Sequence, residues 1–308
     1  MNVLLWHVHG SWTTAFVQGK HRYLVPVNEA RDAWGRGRAR TFDWPPSVVE
    51  LPLHEIRDAD VAVVQRPEEL ALVPPGLPVI YVEHNTPKGD VPDTRHPMAD
   101  RDDLVICHVT HFNELFWDAG GTRTTVIQHG IVAPAARWTG EQDRLAIVTN
   151  EPVRRNRVTG TDLYPRFARV APLDVFGMGV AGLRGDRITP YDDPPQHEMH
   201  RLVAQRRAYL HLCRWTSLGL SLIEAMQMGM PVIGLATTEA VAAVPPGAGV
   251  LDTRVDTLVE AAHWLLGDPA AARRLGDRAR QVALARYGLD RFLADWDRLL
   301  EEETCGLR

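Results

Sequence analysis

The chain has 308 residues, 45% of them hydrophobic and 24% charged, with a formal net charge of -5. This is ordinary globular composition with material for one large core or two medium ones, and it excludes disorder and fibrous structure. With no global basic field, nucleic acid is not an expected partner, and any anion site must be local.

The opening MNVLLWHVHG is interrupted by histidine too early to read as a signal peptide. Asn2 to Val8 reads as a buried strand that ends in His9-Gly10-Ser11-Trp12, a Gly-containing turn at a C-terminal strand edge, where open α/β sheets place ligands. Of His7 and His9, which share a strand face, one reads as a satisfied structural histidine. Asp60 to Val64, Val79 to Val82 and Leu104 to Cys107 are further short β-branched runs, each followed by a polar segment, as in an alternating α/β fold. Asp58 and Asp60 form a D-x-D, but Asp60 begins a strand, so no metal site is expected. Val82-Glu83-His84 brings His84 out of a strand into a loop with Asn85, Thr86 and Pro87. A helix over Asn113 to Ala119, a stop at Gly120-Gly121, a strand over Thr124 to Gln128 and a turn at His129-Gly130 follow. Pro134 to Glu141 is aperiodic and reads as an interdomain linker, which gives domains 1–138 and 139–308.

The second domain opens with a strand over Leu145 to Thr149 and a loop, Glu151 to Gly160, that carries Arg154, Arg155 and Arg157. Three guanidiniums in a strand-to-helix loop suit bidentate phosphate contacts; the alternative is a solvated basic loop. Val175 to Gly179 is the next strand and turn, and Tyr191 to Gln196 a Pro/Asp-rich loop. Leu210 to Thr238 reads as strand, tight loop, helix, stop and strand. Thr216 and Ser217 offer N-cap oxygens, Leu218 to Met228 is helix-forming, and Gly229 and Pro231 end it before Val232 to Leu235. Ser217, Ser221 and Glu224 recur on one face of an otherwise apolar helix. That stripe is either a solvated face or a ligand face, the latter with the amides of Ser217, Leu218 and Gly219 on an anion and Glu224 accepting hydroxyls. Helices follow over Val255 to Leu266 and Ala270 to Ala285, and Leu289, Phe292, Trp296 and Leu299 give a last helix one bulky face. Cys107, Cys213 and Cys305 have no metal-ligand spacing and suit reduced thiols in a cytoplasm. No apolar run approaches a membrane span, so the expected location is cytoplasmic, with peripheral contact at the inner membrane face left open.

TSLGLSLIEAMQMGMPVIG resembles the signature segment of the retaining glycosyltransferases of family four, where a Glu, seven residues, Glu-Ala-Met and then Gly-x-Pro-Val recur; the chain looks like a compact, actinobacterial-type member. The resemblance implies an α/β fold of GT-B architecture, two Rossmann-like domains facing each other across a cleft with a C-terminal helix crossing back. It implies a metal-independent transfer, with retention, of a sugar from a nucleotide-diphosphate sugar to an acceptor hydroxyl. The nucleotide-sugar is substrate, and no cofactor is implied. By position the second Glu of the motif is Glu224, on the ribose, while the first falls on Thr216, beside the transferred sugar. His84 falls on a histidine that contacts that sugar, and Gly10 and Ser11 on a cleft-facing loop. The amides of Ser217, Leu218 and Gly219 and the loop with Arg154, Arg155 and Arg157 fall on the diphosphate site, with Thr159 where the family has lysine and Gly160 matching its glycine. The acceptor and the oligomeric state stay open. A nucleotide-sugar epimerase of the same architecture and an inert nucleotide-sugar-binding subunit are the alternatives.

Overall fold

Short runs of Val, Ile, Leu and Ala, buried on both faces, make the strands parallel and place loops at their ends. The computed structural model describes residues 1–305 in two units, Met1–Val132 joined by the chain from Tyr287 onward, and Ala133–Arg286.

In the first unit the strands are β1 (Asn2–Leu5), β2 (Arg22–Pro26), β3 (Val48–Leu51) and β4 (Val61–Val64). They are followed by β5 (Val79–Glu83), β6 (Leu104–His108) and β7 (Arg123–Val126). All pair in parallel in the order β3-β2-β1-β4-β5-β6-β7, so the chain reverses its winding between β1 and β4. Helix α1 (Gly10–Phe16) follows β1, and α2 (His111–Phe116), capped by Thr110 Oγ1, follows β6. The D-x-D is structural: Asp60 Oδ2 accepts the Asn2 N–H at 2.7 Å and ties β1 to the start of β4. The C-terminal helix Leu289–Cys305 belongs to this unit. Its Phe292 and Trp296 pack on Trp12 of α1, with ring centroids 6.4 and 5.7 Å away. A Cβ on Gly130 would lie 2.2 Å from Phe292 Cβ, so the backbone after His129 passes too close to that helix for any side chain.

In the second unit the strands are β8 (Gln142–Val148), β9 (Leu173–Gly177), β10 (Ile188–Asp192), β11 (Arg206–His211), β12 (Val232–Leu235) and β13 (Gly249–Asp252). Their order is β10-β9-β8-β11-β12-β13, again parallel, with the reversal between β8 and β11. The helices are α3 (Pro152–Arg155), α4 (Tyr164–Val170), α5 (Gln196–Val203), α6 (Leu220–Met228) and α7 (Ala240–Ala243). Then come α8 (Val255–Gly267) and α9 (Pro269–Arg286), which leaves α10 for Leu289–Cys305. Asp174 on β9 is fully buried and held by Arg206 at 2.6 Å and by Arg144, a charge paired as burial requires.

The unit boundary lies at Val132/Ala133 rather than 138/139, while the last helix joins the first unit, as the expected crossing back requires. The physical reason is Trp138, read from sequence as linker. Its Nε1 donates to Arg206 O at 2.9 Å, and Trp138 N donates to Met228 O at 3.0 Å, which fixes the segment on the second unit's sheet. Among the described residues no helix is long and apolar enough to cross a membrane.

Candidate active site

A parallel sheet presents all its strand-to-helix loops at its C-terminal edge, and a reversal of winding opens a crevice there between two loops that diverge. In the second unit those two loops are the arginine loop after β8 and the signature loop after β11. They are tied together. Arg214 N donates to Val158 O at 2.8 Å, Arg214 Nη1 to Arg157 O at 2.7 Å, and the Gly160 backbone abuts Leu212. Gly160 sits at φ +74, and a Cβ there would lie 2.1 Å from Leu212 O, so the glycine is required twice over. Glu151 at φ 57 and Asn156 at φ 35 also occupy the left-handed region, so this loop holds a backbone shape that ordinary residues resist.

The three guanidiniums are not equivalent. Arg154 pairs with Glu151 at 3.4 Å, and Arg157 with Asp162 at 3.2 Å, which Arg214 also binds at 2.6 Å. Arg155 is half-buried and makes no ion pair among the described residues. It reaches toward the signature loop: burial pushes the Cys213 thiol up to about 11, and the Arg155 guanidinium acts against that rise. Thr159, where the resemblance has a lysine, turns inward; it is buried and its hydroxyl donates to Asn156 O at 3.1 Å.

Helix α6 begins at Leu220, later than the expected Leu218. Neither Thr216 nor Ser217 caps it; Gly219 is the N-cap in extended conformation, without a side-chain cap bond. Burial of Leu218 in the core keeps the chain extended through that point, so the first-turn amides belong to Leu220 and its neighbours rather than to Ser217, Leu218 and Gly219. The polar stripe is not a solvated face. Ser221 Oγ meets Tyr209 Oη at 2.9 Å, and Glu224 is only 5% exposed. The Glu224 carboxylate is held by α5: Gln196 Nε2 donates to Oε1 at 3.0 Å, and His200 Nε2 lies 3.1 Å from Oε2. Beneath the loop is His211, pushed down to about 4 by burial, with its Nε2 buried and unpartnered. A Cβ on Gly219 would lie 3.2 Å from its Cε1, so ring and loop are in contact.

At the C-terminal edge of the first unit's sheet the chemistry is neutral. His84 follows β5 and His9 follows β1, with their rings 4.2 Å apart; His129 lies 6.4 Å from His84, and the Trp12 indole meets His84 edge-on at 5.1 Å. Burial holds His84 well below the usual imidazole range and pushes His129 down to about 3, with His9 and Arg291 adding to the latter. His9 is lowered by burial and pulled partly back by Glu83. His84 Nε2 and His129 Nδ1 are both buried without a hydrogen-bond partner. Gly10 and Ser11 form no open turn; they start α1, where Thr14 Oγ1 closes on Gly10 O at 2.7 Å. Among the described residues no group of three or more His, Cys, Asp or Glu converges as a metal cage.

Residues 185–282 match the family described as glycosyl transferases group 1. That span contains the signature loop, α5 and α6, and stops short of the arginine loop and of the whole first unit. No curated protein matches the chain in sequence. Among solved structures, a sucrose-phosphate synthase from Thermosynechococcus elongatus superposes with TM-score 0.75 at 14% identity, covering 99% of this chain and 100% of that one. HepE from Anabaena, in complex with UDP and glucose, gives 0.73 at 13% identity, covering 98% and 99%. AviGT4, a glycosyltransferase involved in avilamycin A biosynthesis, gives 0.66 at 17% identity, covering 99% and 98%. At such identities the likeness is one of fold: two Rossmann-like parallel-sheet domains of the GT-B type.

Sequence reasoning missed Gln196 and His200, His211, and the partners His9 and His129. Gln196 and His200 stand at i and i+4 in PPQHEMHRL, a spacing that already marks one polar face on α5. His211 carries no such signal, because a buried strand does not show which loop will lie over its end.

Proposed function

We propose that the chain transfers a sugar from a nucleotide-diphosphate sugar to an acceptor hydroxyl, with retention and without a metal ion. The observation that carries this reading is the meeting of the arginine and signature loops at the second unit's winding reversal, with Arg155 unpaired and Glu224 buried beside them. HepE is in complex with UDP and glucose, and that donor class is carried over here. The barrier to such a transfer is charge separation, an oxocarbenium-like sugar against a departing diphosphate. Arg155 and the first-turn amides of α6 strengthen their bonds as negative charge develops on the leaving group, which lowers the barrier. Glu224, already oriented by Gln196 and His200, accepts the ribose hydroxyls, and neutral His84 orients the sugar.

A second reading, an inert nucleotide-sugar-binding subunit, draws on Thr216 in place of a carboxylate and on Thr159 turned inward in place of a lysine. Incubation with a panel of nucleotide-sugars separates the two: slow release of nucleotide and sugar is expected, and binding without turnover makes the chain inert. An altered sugar instead means an epimerase. Glu224→Gln should weaken nucleotide-diphosphate affinity about tenfold, because an amide nitrogen stands where the ribose needs an acceptor. Unchanged affinity by calorimetry removes Glu224 from the site.

A further inference from the structure

We propose that a pocket at the C-terminal ends of β2, β3 and β4 binds a small molecule with an apolar ring system and an amine. The pocket has a volume of about 790 Å³, the size of small-molecule sites in general, and lies at the loop edge of the first unit's sheet. Its floor is apolar, from Pro26, Val27, Pro52, Leu53 and Leu72.

One wall is built rather than incidental. The segment from Val27 to Arg36 folds back on itself through an antiparallel bridge between those two residues and an Asn28 N–H donated to Gly35 O at 3.0 Å. Trp34, 39% exposed, stands on it. Arg66 fixes that indole from behind: its guanidinium lies 4.2 Å from the ring centroid and donates to Ala33 O at 2.8 Å. Arg66 is in turn neutralised by fully buried Glu69 at 2.7 Å. A large, partly exposed aromatic side chain is thus held at the pocket by Arg66.

The charge is one-sided. Glu29 and Glu68 line the pocket, and neither makes an ion pair or side-chain hydrogen bond among the described residues. The nearby basic groups face other carboxylates, Arg66 on Glu69, Arg31 on Glu50 at 2.9 Å and the lining His54 on Glu55 at 3.8 Å, and Asn28 donates its amide to Asp32 at 2.8 Å. Carboxylate acceptors therefore predominate on the wall over an apolar floor. An ammonium group has donors and no acceptor, and a ring fills the floor and stacks on Trp34. An anionic ligand meets two uncompensated carboxylates.

The test is calorimetric titration of the full chain with a matched series, naphthyl-ethylamine, naphthyl-ethanol and naphthyl-acetate. The amine should bind about tenfold tighter than the alcohol, and the acetate weakest. The double variant Glu29→Gln, Glu68→Gln should erase that preference, and Trp34→Ala should weaken all binding, both with unchanged melting curves. Equal binding of amine and alcohol, or no saturable binding of any of the three to a chain with a normal melting curve, overturns the pocket.

Discussion

The two sheets share a topology and differ at the edge where ligands meet them. At the second unit's edge the groups are charged: an unpaired arginine, a buried glutamate with two partners, and backbone amides at the start of α6. At the first unit's edge the histidines are held neutral by burial, and among the described residues the carboxylates of the pocket have no ion-pair partner. The fold supplies the crevice twice, and on the proposed reading the partnering of side chains decides which crevice would hold a dianion. A phosphate-binding edge needs a cation that has not already been consumed by its neighbours, and only one of the three loop arginines qualifies.

The largest effect should come from the joint between the two loops. Gly160→Ala places a Cβ against Leu212 O at a φ that L residues avoid, so unfolding free energy should fall by about 3–4 kcal/mol and UDP binding should be lost. A denaturant melt of wild type and variant checks it. A variant of wild-type stability that still binds UDP means that the loops do not need this close approach.

Acid should break the comparison from the other side. His84, His108 and His129 are depressed in the folded first unit, the last two to about 3, and His211 in the second to about 4. Their unfolded values are near 6.5. Below that pH the unfolded chain takes up protons that the folded chain refuses, so stability is full above pH 6.5 and declines on acidification. The slope is roughly 1.4 kcal/mol per pH unit for each such histidine. With more of them in the first unit, its amides should lose hydrogen-exchange protection first as pH falls from 7 to 4. If the second unit opens first, the neutral cluster is not the acid-sensitive element.

Next in size is Arg155→Ala. A lost charge-assisted bond should weaken UDP binding by about 1–3 kcal/mol with little change in the melt, since the side chain has no internal partner. Unchanged affinity moves the diphosphate elsewhere.

The alternating architecture was legible because β-branched runs and their punctuation repeat along the chain, and the signature helix because Gly229 and Pro231 end it so plainly. Three things were not. The start of α6 depended on Leu218 being drawn into the core, a tertiary demand that overrode two good capping residues. The boundary depended on Trp138, whose indole finds its acceptor on β11 far along the chain. And Arg154, Arg155 and Arg157 look alike in sequence; the carboxylates that distinguish them, Glu151 and Asp162, lie in the same stretch, but only the turn of the loop decides which reaches which guanidinium.

That distinction gives the smallest effect and the sharpest contrast. Arg157 is 72% exposed by side chain and shares Asp162 with Arg214, which binds the same carboxylate at 2.6 and 2.9 Å. Asp162 is held below the usual carboxylate range first by its bond to Arg214, with Arg157 a minor contributor. Arg157→Ala therefore removes an exposed, redundant half of a shared pair. The backbone carbonyl that Arg214 uses survives the substitution. Stability should change by less than about 0.5 kcal/mol, the ordinary value for a surface ion pair, and UDP affinity should match wild type within error. Set beside Arg155→Ala in one calorimetric series, this variant asks whether prior partnering selects the phosphate-binding arginine. Equal losses of affinity in the two variants would mean that Arg157 leaves Asp162 for the diphosphate, and that the ion pairs described here do not foretell those made on the ligand.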